Sequence, residues 1–91
     1  MKPWDILLSK ESLKFLRKNH LSDTKAIDVI IIAIKKLSGD DINLDIKKLH
    51  PPYEGYFRIR TGKIRITFSI DFIRHLVDVV EINWRGSAYR K

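Results

Sequence analysis

The sequence predicts an α+β domain in the order strand, helix, helix, strand, strand, strand, with two N-terminal helices packed on one face of a twisted, mainly antiparallel sheet. Three observations carry this prediction. Two stretches near the amino terminus repeat apolar residues at helical spacing behind serine caps. Gly55 to Phe68 alternates apolar and cationic residues around a Thr-Gly pair. The later segment VDVVEI is short, β-branched and nearly continuous in apolar character. At 91 residues the chain is one domain, 1–91, large enough to bury a single modest core.

Pro3 to Leu8 is the first predicted strand, with Trp4, Ile6 and Leu8 on one phase and Asp5 on the other. Ser9 caps a helix over Lys10 to Asn19 that turns Leu13, Leu16 and Phe15 inward and leaves Lys14, Arg17 and Lys18 in water. Ser22 caps a second helix, Asp23 to Leu37, with a stripe of Ile27, Ile30, Ile34 and Leu37. Asp23 complements the positive end of that helix, Lys35 and Lys36 the negative end, and Gly39 stops it. The β-branched run Val29 to Ile32 has strand character, but its place between an N-cap and a C-terminal Gly favours helix. Val29 and Ile32 widen the apolar surface, either as core or as a docking patch.

Asp40 to Glu54 shows no periodicity and predicts a connection, held extended at its end by Pro51-Pro52. Asp40, Asp41 and Asp45 read as turn and cap residues within it. His75 to Trp84 is the last predicted strand, and its continuous centre suggests cover on both faces and a central position. The tail RGSAYRK predicts no helix.

In the hairpin, alternation sends Phe57, Ile59, Ile64, Ile66 and Phe68 to a core face and Arg58, Arg60, Lys63 and Arg65 to the other. A two-residue Thr61-Gly62 loop would set Arg60 opposite Lys63 and Arg58 opposite Arg65. Because Thr tolerates positive φ poorly, a longer loop with Gly62 in the left-handed region is the alternative. Facing like charges destabilise a sheet by about a few tenths of a kcal/mol each, so local stability does not select these residues. They form either a solvated face that protects an edge or a phosphate-binding surface. Three Arg to one Lys favours phosphate, because the planar guanidinium fork matches its oxygens.

With 18 Lys and Arg against 11 Asp and Glu, the net charge of +7 suits an anionic partner: nucleic acid, a membrane surface or an acidic protein. The absence of cysteine excludes disulfides, thiol catalysis and thiolate zinc sites. MKPWDILLSKE lacks the unbroken apolar stretch of a secretory signal, and the longest apolar run, VIIIAI, is too short to span a bilayer; both predict a soluble intracellular protein with no membrane role. His20, His50 and His75 fall on different elements, so neither a metal site nor a cofactor is predicted. Trp4 and Trp84 lie on core phases.

The order of elements, the stretch DIKKLHPPYEGYFRIRTGKIRITF and the ending EINWRGSAYRK together resemble the RelE/ParE superfamily, the toxins of type II toxin–antitoxin systems, over nearly the whole chain. The residues that carry the resemblance are KKL before the hairpin, the pattern aromatic, Arg, apolar, Arg, one residue, Gly and then Arg three positions on, and the closing Arg-Gly-x-Ala-Tyr. It implies a cytoplasmic toxin neutralised by a cognate antitoxin, with a heterotetramer among the assemblies it admits. In the RelE branch it implies a metal-independent endoribonuclease, an mRNA interferase, that enters the ribosomal A site against ribosomal RNA and inhibits translation by cutting mRNA. By position, Arg58, Arg60, Arg65, Arg85 and Tyr89 match the catalytic residues, while Lys63, Lys47, Lys48 and Arg90 would add RNA-binding charge. In the ParE branch the same scaffold inhibits DNA gyrase and cuts nothing. A catalytically inactive binding module is a third reading.

Cleavage of RNA by its own 2′-hydroxyl needs a base, charge stabilisation on the phosphorane and an acid for the leaving oxygen. Arginines serve the second task but hold their protons too firmly for the first. The chain departs here from members that carry lysines or a Glu/His pair, leaving Tyr89 as the candidate base. Tyr89 could equally stack on or orient a nucleobase. Charge reversal at Arg58 and Arg65 is expected to abolish toxicity with the domain still folded, since neither belongs to the core phase.

Overall fold

A computed structural model describes residues 3–86. The elements are β1 (Asp5–Leu8), α1 (Lys10–Lys18), α2 (Asp23–Leu37), β2 (Asp45–Lys48), β3 (Tyr56–Thr61), β4 (Ile64–Asp71) and β5 (Leu76–Trp84). The strands form one five-stranded sheet in the order β1-β5-β4-β3-β2. Every pairing is antiparallel except β1 with β5.

The helices form where the caps require. Ser9 is extended and its hydroxyl accepts from the Ser12 amide at 3.1 Å while donating to the Val80 carbonyl at 2.8 Å, so one side chain both starts α1 and fastens it to β5. Ser12, fully buried, reaches the Val79 carbonyl at 3.4 Å. Ser22 caps α2 through the Lys25 amide, and Gly39, at φ 114°, follows its end.

Both helices cover the same side of the sheet. Leu16 of α1 and Ala26, Ile30, Ala33 and Ile34 of α2 form one core with Ile59, Ile64, Ile66, Phe68, Val77, Val79 and Ile82. The small side chains of Ala26 and Ala33, outside the isoleucine stripe, are fully buried as well. Val29 packs against this core, whereas Ile32 is 40% exposed. Among the described residues no helix is long and apolar enough to cross a membrane.

Three expectations need correction. The connection predicted over Asp40 to Glu54 contains β2, an edge strand of sequence DIKK paired with β3. Its charged residues hide it from pattern reading; it exists because β3 offers a free row of backbone partners and Ile46 packs against the core. The hairpin loop is Gly62-Lys63 rather than Thr61-Gly62, because Thr61 pairs with Ile64. Gly62 takes φ 55° at the first loop position, which places Arg60 opposite Arg65 and Arg58 opposite Thr67.

β5 lies inside the sheet, but β4 is its middle strand and β5 is not covered on both faces. A β-bulge pairs Thr67 with Glu81 and Phe68 with Val79, leaving Val80 as the extra residue. The apolar run looks continuous because the phase shifts at this point: Val77, Val79 and Ile82 are buried, and Asp78 and Glu81 are exposed.

Candidate functional site

The face of the sheet opposite the helices carries Asp45 and Lys47 from β2, Arg58 and Arg60 from β3, Arg65 and Thr67 from β4, and Glu81 and Asn83 from β5, as the strand registers dictate. The sequence shows no acid from Gly55 to Phe68, yet the fold supplies one from outside that stretch. Asp45 receives Arg58 Nη1 on one carboxylate oxygen at 3.0 Å and Arg60 Nε on the other at 3.1 Å. It is a bridging partner of two guanidiniums, and not the turn or cap residue expected from its neighbourhood.

The bridge separates the arginines by role. The Arg58 side chain is only 7% exposed beneath the surface, while that of Arg60 is 38% exposed. Arg58 therefore supports the face, and Arg60 keeps two terminal nitrogens with no hydrogen bond among the described residues. The hydrogen bond from Arg58, joined by the positive charges of both arginines and partly opposed by desolvation, lowers the Asp45 carboxyl below its ordinary value of 3.8. A carboxyl with a depressed folded-state pKa contributes stability above its unfolded value and loses it as pH falls through the folded one. Asp45→Asn is thus expected to lower the thermal midpoint at pH 7, with the gap to wild type narrowing once the pH drops below 3.8; equal midpoints at pH 7 would show the bridge to be idle.

Other cations gather at the hairpin end. Arg65 is the direct cross-strand neighbour of Arg60 and is half-buried. Lys63 stands exposed in the loop. Arg85 is fastened to that loop twice: its amide donates to the Lys63 carbonyl at 2.7 Å, and its Nη1 donates to the Gly62 carbonyl at 3.0 Å. Lys47 shares the face opposite Arg58, whereas Lys48 pairs with Phe57 and takes the phase of the helix side. Tyr89 and Arg90 lie outside the described residues.

Between β4, β5 and the segment after β2 lies a hollow of about 210 Å³ lined by Leu49, Tyr53, Arg65, Thr67 and Glu81. An adjoining one is lined by Tyr53, Tyr56, Thr67, Val80 and Glu81. Sequence reasoning passed over Tyr53 and Glu81. An aromatic beside Pro-Pro and just before a basic strand was a usable signal for Tyr53, but the bulge concealed the outward phase of Glu81. Together the face offers guanidinium donors, a carboxylate and an exposed aromatic ring, a combination suited to holding a phosphodiester and an unstacked base.

No protein-family model matches the chain, and no curated protein matches it either. Solved structures do. A chain of the RelB–RelE antitoxin–toxin complex from Methanococcus jannaschii is 28% identical with a TM-score of 0.60, the match covering 91% of this chain and 94% of that one. YafQ from E. coli has a TM-score of 0.66 at 13% identity, with 96% and 99% covered. A chain of the heterotetrameric YoeB–YefM toxin–antitoxin complex from Staphylococcus aureus has a TM-score of 0.64 at 15% identity, with 92% and 99% covered. The protein has the RelE-type toxin fold, with its two helices on one face of a five-stranded, mostly antiparallel sheet.

Proposed function

We propose that this protein is the toxin of a toxin–antitoxin pair and acts in the cytoplasm as a metal-independent endoribonuclease on messenger RNA in the ribosomal A site. The observation that carries the reading is the gathering of Arg60, Lys63, Arg65 and Arg85 at one end of a sheet face that the helices leave uncovered. Arg60 and Arg65 would hold the scissile phosphate, and their charge would stabilise the phosphorane as it forms. Lys63, Lys47 and Arg90 would extend the contact along the RNA backbone, and Lys48 would reach it only around the sheet edge. Tyr89 would stack on or orient the base, with Arg58 fixing Asp45 and through it Arg60.

The partner is an antitoxin with an acidic amphipathic segment laid against this charge, in an assembly comparable to the toxin–antitoxin complexes whose folds the chain shares. Primer extension on a message under translation tests the enzymatic claim: antitoxin-free protein should create new 5′ ends within codons, and an intact message would refute it. One observation favours a second reading, a ParE-like gyrase inhibitor or a plain nucleic-acid binder. Both β3 arginines spend hydrogen bonds on Asp45. A gyrase inhibitor would leave messages whole and trap supercoiled plasmid as linear DNA.

A further inference from the structure

Glu81 projects from β5 onto the uncovered face opposite Thr67, is exposed, and makes no side-chain hydrogen bond or ion pair among the described residues. Two other acids of the sheet are engaged: Asp45 bridges Arg58 and Arg60, and Asp71 accepts the amides of Ile73 and Arg74, while Asp78, two positions before the bulge, lines neither hollow. Glu81 is the one acid that lines either hollow, and it lines both, sharing the first with Arg65. Since Arg65 pairs with Asn83 and Thr67 with Glu81, Arg65 and Glu81 are diagonal cross-strand neighbours. Such residues stand about 7–8 Å apart at the backbone, which leaves room for a phosphodiester between the ends of two long side chains. Tyr53, 62% exposed, borders both hollows and offers a stacking surface for the base next to that phosphate.

We propose that Glu81 is the general base of the ribonucleolytic reaction, an assignment that rests on the function proposed above. Its carboxylate takes the proton of the 2′-hydroxyl. The freed oxygen attacks the adjacent phosphorus, the bond from phosphorus to the 5′-oxygen breaks, and that oxygen leaves with a proton from water. The products are a 2′,3′-cyclic phosphate and a 5′-hydroxyl, so the step consumes no co-reactant. Arg60 and Arg65 cannot accept a proton but neutralise the phosphorane, so base and charge stabilisation come from different strands of one face.

The test uses the full chain and a message engaged on ribosomes. Glu81→Gln should slow single-turnover cleavage by about 10²-fold or more and lose the limb of the pH–rate profile that reports the base. Its thermal midpoint and its affinity for an uncleavable 2′-deoxy substrate should match wild type or, for affinity, exceed it. Glu81→Asp should recover part of the rate. Cleavage by Glu81→Gln within threefold of wild type, or slowed cleavage with an unaltered pH profile, would overturn this assignment and leave the nuclease reading standing. A wild-type protein that cuts no translated message would overturn both.

Discussion

Arg65→Ala is expected to reduce cleavage of translated message by about 10²- to 10³-fold while leaving the thermal midpoint in place. Arg65 sits on the middle strand, flanked across the sheet by Arg60 on one side and Asn83 on the other, and it is the one cation lining the hollow that holds Glu81 and Tyr53. A donor aimed at charge that develops only in the transition state affects rate more than binding, so the loss should fall on the cleavage step. Affinity for an uncleavable RNA should drop far less, by one phosphate contact and a correspondingly shallower salt dependence. Removing this charge also relieves its direct confrontation with Arg60, and the variant is expected to fold. A variant that binds RNA poorly but cleaves what it binds at the wild-type rate would make Arg65 a docking residue instead.

Arg58→Glu should unfold the domain or destabilise it by about 3 kcal/mol, the low end for a broken buried ion pair because Asp45 keeps access to water. This reverses the expectation from strand phase alone, in which Arg58 and Arg65 were equally dispensable to folding. Arg58 is 6% exposed, and the substitution would set a second carboxylate against Asp45 under the surface. For a domain of this size the change corresponds to a thermal midpoint lower by more than about 10 °C. Arg60→Glu, with its side chain 38% exposed at the rim of the same bridge, should fold and lose activity. Two folded, inactive charge-reversal variants would assign Arg58 to the open surface after all.

The contrast between these arginines marks where the sequence stopped being informative. Helix caps, the α2 boundaries and the hairpin alternation are local, each decided by a few neighbouring residues, and the structure has Ser9, Ser22 and the Ile59, Ile66, Phe68 face as the pattern requires. Asp45 could not be connected to Arg58 and Arg60 by pattern, because the contact depends on β2 pairing with β3 in a register that its charged sequence does not announce. The outward phase of Glu81 depends on a bulge one strand away, in the same way. Which cations share a face was therefore legible, and which of them are already engaged was not.

Strand alternation marks the arginines, and the resemblance to RelE-type toxins marks the same ones, but neither contains the acid that holds two of them. Asp45 ties Arg58 to Arg60, and Arg85 is tied to the Gly62 carbonyl, which leaves the outermost charges of the face at the hairpin end.

The most direct measurement places wild type and Arg65→Ala beside each other on two copies of one message, one under translation and one naked, and maps every new 5′ end. The account predicts 5′-hydroxyl ends within codons for wild type on the translated copy, few or none on the naked copy, and at least about a hundredfold less product from the variant. Intact translated message with wild type, or equal cutting by both proteins, would contradict it.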